Sequence, residues 1–277
     1  MVVLRKVFRE VSFLKFFYNR WRGTSISLFK TLWLNLLSFP LKDALKFPLW
    51  IYQGTKIEHI GKIRVNVPLH TGMIRIGKRQ FFRQTPTVII NVGTMEFDGD
   101  CSILGGTTLH VLGEKSLIHF GKGVLIGENN RILVGPKIEI GDYTRIAFGS
   151  LLMSADFHYV LNISTGMISR DLAPISIGRY NWIGNNVVVK KGVKTPDYCI
   201  VSNGSMLLKD YSDLPLYSLI VGVPGKLKGV GFRRVYNKKH TRELDTAFLD
   251  EELENVVVPI DSGDPNFERY CSDDTRI

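Results

Sequence analysis

The sequence predicts an all-β solenoid, a parallel β-helix of hexapeptide repeats, with an α-helical N-terminal segment and a short C-terminal extension. Two observations support this fold class. From about Ile57 to Gly231 an aliphatic residue followed by glycine returns every six or eight residues. Where the glycine lapses, an apolar phase of six continues through Val189, Thr195, Val201 and Leu207. We divide the chain into a helical segment 1–50, a β-helix domain 51–231 and an extension 232–277.

The repeat itself explains why these residues should form coils. Six is an even number, so each unit can be a short strand with alternate side chains on one face, plus a turn. Stacked coils then align the aliphatic positions into ladders, and the eight-residue steps before Ile140 predict small outward bulges. Asparagine tolerates the left-handed backbone of such turns, and Asn129, Asn130, Asn185, Asn186 and Asn203 fall there. The steps are Ile76-Gly77, Leu104-Gly105, Leu112-Gly113, Phe120-Gly121, Ile126-Gly127, Val134-Gly135, Ile140-Gly141, Ile177-Gly178 and Ile183-Gly184.

The first fifty residues have a helical rather than a six-residue period. Apolar residues recur at helical spacing from Val2 to about Asn19, which predicts an amphipathic helix. The stretch Ser25–Leu37, extending to about Lys46 after Pro40, is apolar nearly all round and needs a cover. That cover could be the rest of the protein, a sister subunit, or the headgroup layer of a membrane carrying anionic lipid.

Composition narrows the class of protein. The hydrophobic fraction of 44% and the charged fraction of 22% fit a soluble globular protein. The net charge of +10 is concentrated in residues 1–50, so we expect no nucleic-acid partner, and contact with a membrane surface through the basic N-terminal segment is the expectation we retain. Cys101, Cys199 and Cys271 are far apart and lack CxxC pairs, which favours a reducing cytoplasm and no zinc site. The longest uncharged run, Thr31–Leu41, falls well short of the ~20 residues of a spanning helix.

One segment carries a family resemblance. The residues Ile175–Gly184, Val189, Gly192, Ser202–Ser205, Lys209–Asp210 and Ile220–Lys226 resemble the C-terminal signature of the hexapeptide acetyltransferases, which include the maltose, galactoside and capsular-sugar O-acetyltransferases. The resemblance covers roughly residues 100 to 228. It implies a left-handed coil, acetyl-CoA as co-substrate without a metal, and a homotrimer whose active sites lie between adjacent prisms.

A second segment, Ser154–His158, lies where the hexad phase breaks between Leu152 and Ile177, so a loop must leave the coil there. By resemblance, His158 is the catalytic base. The chemistry agrees, because a sugar hydroxyl attacks a thioester only when its proton is removed, and neutral imidazole suits that task near pH 7. Asp156, two residues away, would lie on the same side of an extended segment and could hold the imidazole tautomer. The resemblance places the oxyanion donors at backbone N–H groups around Gly184 and Asn185.

The resemblance also places the coenzyme. The pantetheine arm is expected near Asn185 and Asn203, with Leu208 and Lys209 further along the coil and Lys226 meeting the phosphates. Trp182 and Gly184 belong to the same signature, although Trp182 could equally be a packing residue under the loop. The sequence departs from the family after Lys209, where Asp210–Leu214 lengthen a short loop and leave the adenosine contacts in doubt.

These expectations define the candidate functions. The first is an acetyl-CoA-dependent O-acetyltransferase that acts on a sugar of a surface polysaccharide or its cytoplasmic precursor. Alternatives are an N-acetyltransferase on an amino-sugar nucleotide and a non-catalytic trimeric scaffold. A zinc enzyme of the gamma carbonic anhydrase type is a further rival, because His110 and His119 lie in the repeat, but no close histidine pair lies near His158.

Overall fold

The computed structural model describes residues 25–80, 85–260 and 262–272, so the helix predicted over Val2–Asn19 lies outside the described residues. The chain winds through three parallel sheets, and from β1 to β14 each coil adds one strand to each sheet in turn. Sheet 1 contains β1 (Leu49–Ile51), β4 (Ile74–Lys78), β7 (Cys101–Leu104), β10 (Val124–Ile126), β13 (Arg145–Ile146), β18 (Trp182–Ile183), β20 (Ile200–Val201), β22 (Ser218–Val221) and β23 (Lys226–Val230).

The other two sheets complete the coils. Sheet 2 contains β2 (Thr55–His59), β5 (Thr87–Asn91), β8 (Thr108–Val111), β11 (Arg131–Val134), β14 (Leu151–Met153), β19 (Val188–Lys190) and β21 (Met206–Leu207). Sheet 3 contains β3 (Lys62–Val65), β6 (Thr94–Phe97), β9 (Leu117–Phe120), β12 (Lys137–Ile140) and β17 (Ile175–Ile177). This arrangement is a prism of stacked coils and confirms the predicted β-helix.

The core of the prism is a set of aliphatic and aromatic ladders. In sheet 3, Phe97 pairs with Phe120 and their buried rings stack at 4.9 Å between centroids. Burying each such side chain contributes about 1.5–3 kcal/mol relative to leaving it exposed. The inward residues of sheet 1 include Ile51, Ile76, Ile103, Ile126, Ile146, Ile183, Val201 and Ile220, and those of sheet 2 include Ile89, Leu109, Ile132, Leu152, Val189 and Leu207.

Two of the predicted steps are displaced by one residue. At Leu104-Gly105 and Leu112-Gly113 the residues that join the ladders are Ile103 and Val111, which pair with Ile126 and Val134. Leu104 is the last residue of β7, one position after the ladder residue, and Leu112 follows the end of β8. A regular coil, such as the one from Ile183 to Val201, has eighteen residues, whereas twenty-three separate Ile103 from Ile126.

Residues at the corners of the prism adopt the left-handed backbone conformation, but only some of the predicted asparagines are among them. Asn129 and Asn186 have φ of 58° and 55°, whereas Asn130, Asn185 and Asn203 do not adopt positive φ. At the corner from sheet 3 to sheet 1, four tyrosines take this conformation and stack at 4.9, 5.2 and 5.1 Å between successive centroids: Tyr143, Tyr180, Tyr198 and Tyr217. We call them the tyrosine column.

Helical elements lie near both ends of the described part of the chain. Residues 28–45, which we call the cap segment, form α1 (Leu28–Ser38) and α2 (Leu41–Ala44) and lie along the open edge of β1. After β23, which turns back antiparallel to β22, come α3 (Lys238–Asp245), a π-helical turn (Thr246–Asp250) and α4 (Glu268–Cys271). Within the described ranges, no helix has the length and apolar character needed to cross a bilayer.

Candidate active site

The predicted break in the repeat is a surface excursion. Residues 154–174, which we call the excursion loop, leave sheet 2 after β14 and enter sheet 3 at β17. Its two ends are held together by an antiparallel bridge between Ala155 and Leu172 and by a 2.9 Å hydrogen bond from the Asp156 amide to the Asp171 carbonyl. Between them a small hairpin projects, formed by β15 (Leu161–Asn162) and β16 (Met167–Ile168). The loop therefore has a fixed base and an exposed tip.

His158 lies on this projecting part. Its side chain is exposed and makes no hydrogen bond to another described residue. The neighbours Phe157 and Tyr159 are exposed as well. The imidazole therefore stands in solvent at the corner from sheet 2 to sheet 3, where a second molecule can reach both ring nitrogens.

Asp156 does not contact this imidazole. Its carboxylate accepts from Lys190 Nζ at 2.6 Å and from Lys191 Nζ at 3.0 Å. The hydrogen bond from Lys190 is the largest cause that lowers the pKa of Asp156. The prediction that Asp156 and His158 share a side assumed an extended segment. Phe157 between them has φ of 63°, which breaks the alternation, so Asp156 anchors the loop to β19.

A second group of predicted residues lies on sheet 1 and at its corner with sheet 2. Trp182 points outwards from β18 with about a third of its surface exposed, and Gly184 and Asn185 follow that strand. A Cβ on Gly184 would lie 2.5 Å from Asn203 Oδ1, so only glycine fits beside the next coil. Asn203 Oδ1 accepts the Asn185 amide at 2.8 Å, which ties these coils together.

The expected backbone oxyanion donors are already engaged. The Gly184 amide donates to the Val201 carbonyl at 2.8 Å, and the Asn185 amide donates to Asn203 Oδ1. This corrects the expectation drawn from the resemblance, because the regular ladder between coils uses both N–H groups. The Asn185 side chain accepts from the Phe148 amide at 3.3 Å through Oδ1, and this orientation turns its Nδ2 donor away from that bond.

A groove of about 440 Å³ lies on the outer face of sheet 1, beside Trp182 and Asn185. The C-terminal extension forms its other wall with Arg234 and Lys238, and the Arg234 guanidinium lies 5.4 Å from the centroid of the Trp182 ring. Arg145 also lines the groove, as does the buried Glu128 carboxylate, which accepts the Gln80 amide at 2.6 Å. The groove therefore combines an indole face with several cations and one carboxylate.

The remaining predicted cofactor residues lie elsewhere. Leu208 and Lys209 follow β21 at the end of sheet 2, the same side of the prism from which the excursion loop leaves. Lys209 Nζ lies 5.6 Å from the centroid of the Tyr211 ring. Lys226 is exposed at the start of β23. One chain thus presents two separate groups of candidate residues, on two different corners of the prism.

Sequence reasoning missed the cations of the groove. Arg145 is a ladder position of β13, paired with Trp182 in β18, but its outward direction emerges only from the register. Arg234 and Lys238 lie beyond the repeat, and no pattern in the extension signals that it folds back over sheet 1. A larger cavity of about 530 Å³ lies within the extension itself, where His240 Nδ1 and Glu243 Oε2 are 2.8 Å apart. None of the predicted site residues lines it.

The histidines that suggested a zinc enzyme have other surroundings. His119 Nε2 lies 2.7 Å from Asp98 Oδ2, and His110 lies on β8 in the regular part of sheet 2. Among residues 25–80, 85–260 and 262–272, no three His, Cys, Asp or Glu side chains gather into a metal-binding group.

Comparison with known proteins gives structural likenesses only. No protein-family model matches this sequence, and the search of curated proteins found no match either. The chain is similar to the polySia specific acetyltransferase NeuO, at 16% identity and a TM-score of 0.46, over 72% of this chain and 99% of that one. It is similar to AntD, an N-acyltransferase from Bacillus cereus solved with dTDP and 3-hydroxybutyryl-CoA, at 16% identity and a TM-score of 0.39, over 83% and 98% of the two chains.

A third similar structure is PerB from Caulobacter crescentus, solved with CoA and GDP-perosamine. It has 15% identity and a TM-score of 0.37, over 56% of this chain and 59% of that one. The fold assignment for the present chain depends on its own strand pairing and not on these likenesses.

Proposed function

We propose that this protein is an acyltransferase that moves an acetyl group from acetyl-CoA to a sugar hydroxyl, with His158 as general base. The observation that supports it best is the exposed, unengaged imidazole on a loop with an anchored base. The similar solved structures are sugar acetyl- or acyltransferases or hold CoA. We place the protein in the cytoplasm, as a homotrimer in peripheral contact with a membrane, and in the synthesis of a surface polysaccharide.

The groove on sheet 1 is the proposed coenzyme site. Its volume and indole face suit part of an acyl-CoA, and Arg234 and Lys238 supply cations for phosphate. Trp182 and Asn185 line it, with Gly184 and Asn203 holding the backbone of the adjacent corner. Leu208, Lys209 and Lys226 remain proposed contacts of the distant parts of the coenzyme.

The reaction needs no covalent enzyme intermediate. The imidazole of His158 takes the hydroxyl proton as the sugar oxygen attacks the thioester carbonyl. Because the Gly184 and Asn185 amides are engaged, the side-chain Nδ2 of Asn185 is the proposed donor to the tetrahedral oxyanion. When the intermediate collapses, the C–S bond breaks and the imidazolium returns the proton to the coenzyme A sulfur. The products are a sugar acetate ester and the free thiol.

In the proposed reaction a second copy of the chain completes the site. His158 and the Trp182–Asn185 corner lie on different corners of one prism, so the base of one protomer would meet the groove of a neighbour. Cyclic symmetry then gives three equivalent sites in the proposed trimer.

The decisive experiment measures thiol release from acetyl-CoA with a panel of sugars, nucleotide sugars and lipid-linked oligosaccharides. His158→Ala should lower the rate by about 10²–10⁴-fold. His110→Ala, a histidine on the regular face of sheet 2, is the matched control and should keep full activity. If His158→Ala transfers acetyl as well as the parent, His158 is not the base. Product analysis separates an ester from the amide that an N-acetyltransferase would make.

Mixing two inactive variants tests the shared site. His158→Ala and Asn185→Ala should each be inactive, whereas trimers reassembled from both should recover activity at about a quarter of the interfaces. Reassembled trimers that stay inactive, although each variant alone is trimeric, would place the whole site within one protomer.

A further inference from the structure

The cap segment buries polar side chains. Thr31 and Asn35 are fully buried in α1. Asn35 Nδ2 donates to the Leu49 carbonyl at 2.8 Å and Asn35 Oδ1 accepts the Leu49 amide at 3.1 Å, while Thr31 Oγ1 accepts the Ile51 amide at 3.0 Å. These bonds satisfy the edge of β1, the first strand of the prism. The inner side of the helix thus combines these two polar side chains with the buried Leu34.

Most of the apolar side chains of the helix consequently face outwards. An ordinary surface helix does the opposite and turns its apolar stripe to the core. Phe29 is 76% exposed and Leu37 is 60% exposed. A contiguous exposed apolar surface of this kind marks a contact site. We call it the cap surface, and it consists of Leu28, Phe29, Leu32, Trp33, Leu36, Leu37, Leu41 and Leu45.

Charge indicates what covers this surface. Residues 1–50 contain nine Lys and Arg against two acidic residues, Glu10 and Asp43. A second copy of the chain carries the same excess of positive charge, and residues 1–24 contain six of the nine cations, so neither complements the charge of this part of the sequence as an anionic surface does. An exposed apolar and aromatic surface in a basic part of the sequence matches the headgroup layer of an anionic bilayer. We infer that the cap surface docks on a membrane surface that carries anionic lipid.

This inference rests on the membrane contact in the proposed function and specifies the surface that makes it. The proposed trimer would strengthen the binding. The cap segment lies beyond the first strand of sheet 1, at one end of the stack of coils. In a trimer of parallel prisms, all three cap surfaces would face the same way. Three simultaneous contacts strengthen binding without any new type of contact.

Vesicle flotation of the full chain tests the inference. The parent should float with vesicles of phosphatidylcholine and phosphatidylglycerol, less with phosphatidylcholine alone, and less again at high salt. The double variant Phe29→Ser with Leu37→Ser should lose about a hundred-fold in partitioning, roughly ten-fold per apolar side chain. The control, Val257→Ser with Ile260→Ser, removes two side chains that are at least as exposed in the extension and should float like the parent.

Any of three results would overturn the inference. These are that the parent does not float, that the two double variants float equally well, or that the double variant of the cap surface differs from the parent in oligomeric mass and not in partitioning. A blue shift of tryptophan emission on vesicle binding, lost in Trp33→Phe, would place that indole in the lipid. Catalysis is tested separately, because His158→Ala should float like the parent and the cap variant should keep thiol release with a soluble acceptor.

Discussion

Each coil of the prism turns isoleucine, valine or phenylalanine inwards, whereas the cap segment turns Thr31 and Asn35 inwards beside Leu34 and leaves its other leucines outside. A coil stacks on strands whose backbone groups are already paired, so its inner face needs only apolar partners. The cap segment covers a strand edge, whose N–H and C=O groups need hydrogen-bond partners. The surface that a segment covers therefore decides which of its sides is buried.

The largest test of this contrast replaces one phenylalanine in each region. Phe120→Ala removes a fully buried ring stacked on Phe97, and the free energy of unfolding should fall by about 3–5 kcal/mol. Phe29→Ala, on the cap surface, should change it by no more than about 0.5 kcal/mol. Urea unfolding followed by circular dichroism measures both. Comparable losses would show that the cap surface is covered within the protein and would contradict the contrast.

The polar side of the cap segment gives the next largest effect. Asn35→Ala leaves the Leu49 amide and carbonyl without their partners and should lower the free energy of unfolding by about 1–3 kcal/mol. Asn35→Leu should cost a similar amount although it adds apolar surface. Thermal unfolding compares both with Leu36→Ala, an exposed neighbour that should be near neutral. A stabilising Asn35→Leu would show that the edge of β1 does not need these bonds.

The prism could be predicted from sequence because its signal is repeated many times. One aliphatic ladder position per strand is enough to define the register. The aliphatic-glycine pattern misassigned that position by one residue at Leu104 and Leu112. The excursion loop was predicted for the same reason, since a long repeat makes a break visible. His158 was thereby placed on a loop, and its exposed ring lies there, while its role as a general base stays a prediction.

Other features had no repeated signal. The cap segment is apolar nearly all round, so its sequence could not show that Thr31 and Asn35 form the inner side. Asp156 was paired with His158 by assuming an extended chain, which the left-handed Phe157 disproves. The cations Arg234 and Lys238 reach the groove through tertiary folding of the extension, and no local pattern encodes that contact.

The extension supplies a third contrast, because it packs on the prism through aromatic and charged groups. Arg233 is largely buried, its guanidinium lies 4.6 Å from the centroid of Tyr198 in the tyrosine column, and it pairs with Glu268 at 3.1 Å. Arg233→Ala should therefore cost about 1–2 kcal/mol and expose the extension to proteases. Arg242→Ala, exposed in α3, is the control for charge loss. If proteases cleave the extension of both variants at the same rate, Arg233 does not hold the extension on the prism.

The smallest effect is expected at the base of the excursion loop, a second segment whose apolar side chains face outwards. Asp156 pairs with Lys190 and Lys191, and these bonds lower the pKa of its carboxyl group. The contribution of the pair to the free energy of unfolding is therefore complete above the ordinary carboxyl pKa of about 3.9, and it is lost as pH falls through the lowered pKa. Because the pair is partly exposed, Asp156→Asn should cost at most about 1 kcal/mol at pH 7.

Two measurements check this expectation. The difference in thermal midpoint between parent and Asp156→Asn should shrink as pH falls below 4, and chymotrypsin at pH 7 should cut the variant faster after Phe157 or Tyr159. Asp171→Asn is a matched control, because Asp171 holds the base of the excursion loop through its backbone carbonyl, which accepts the Asp156 amide, and not through its carboxylate. A difference that persists unchanged at low pH would show that the Asp156 charge does not hold the loop, and that its backbone bonds alone fix His158 at the corner.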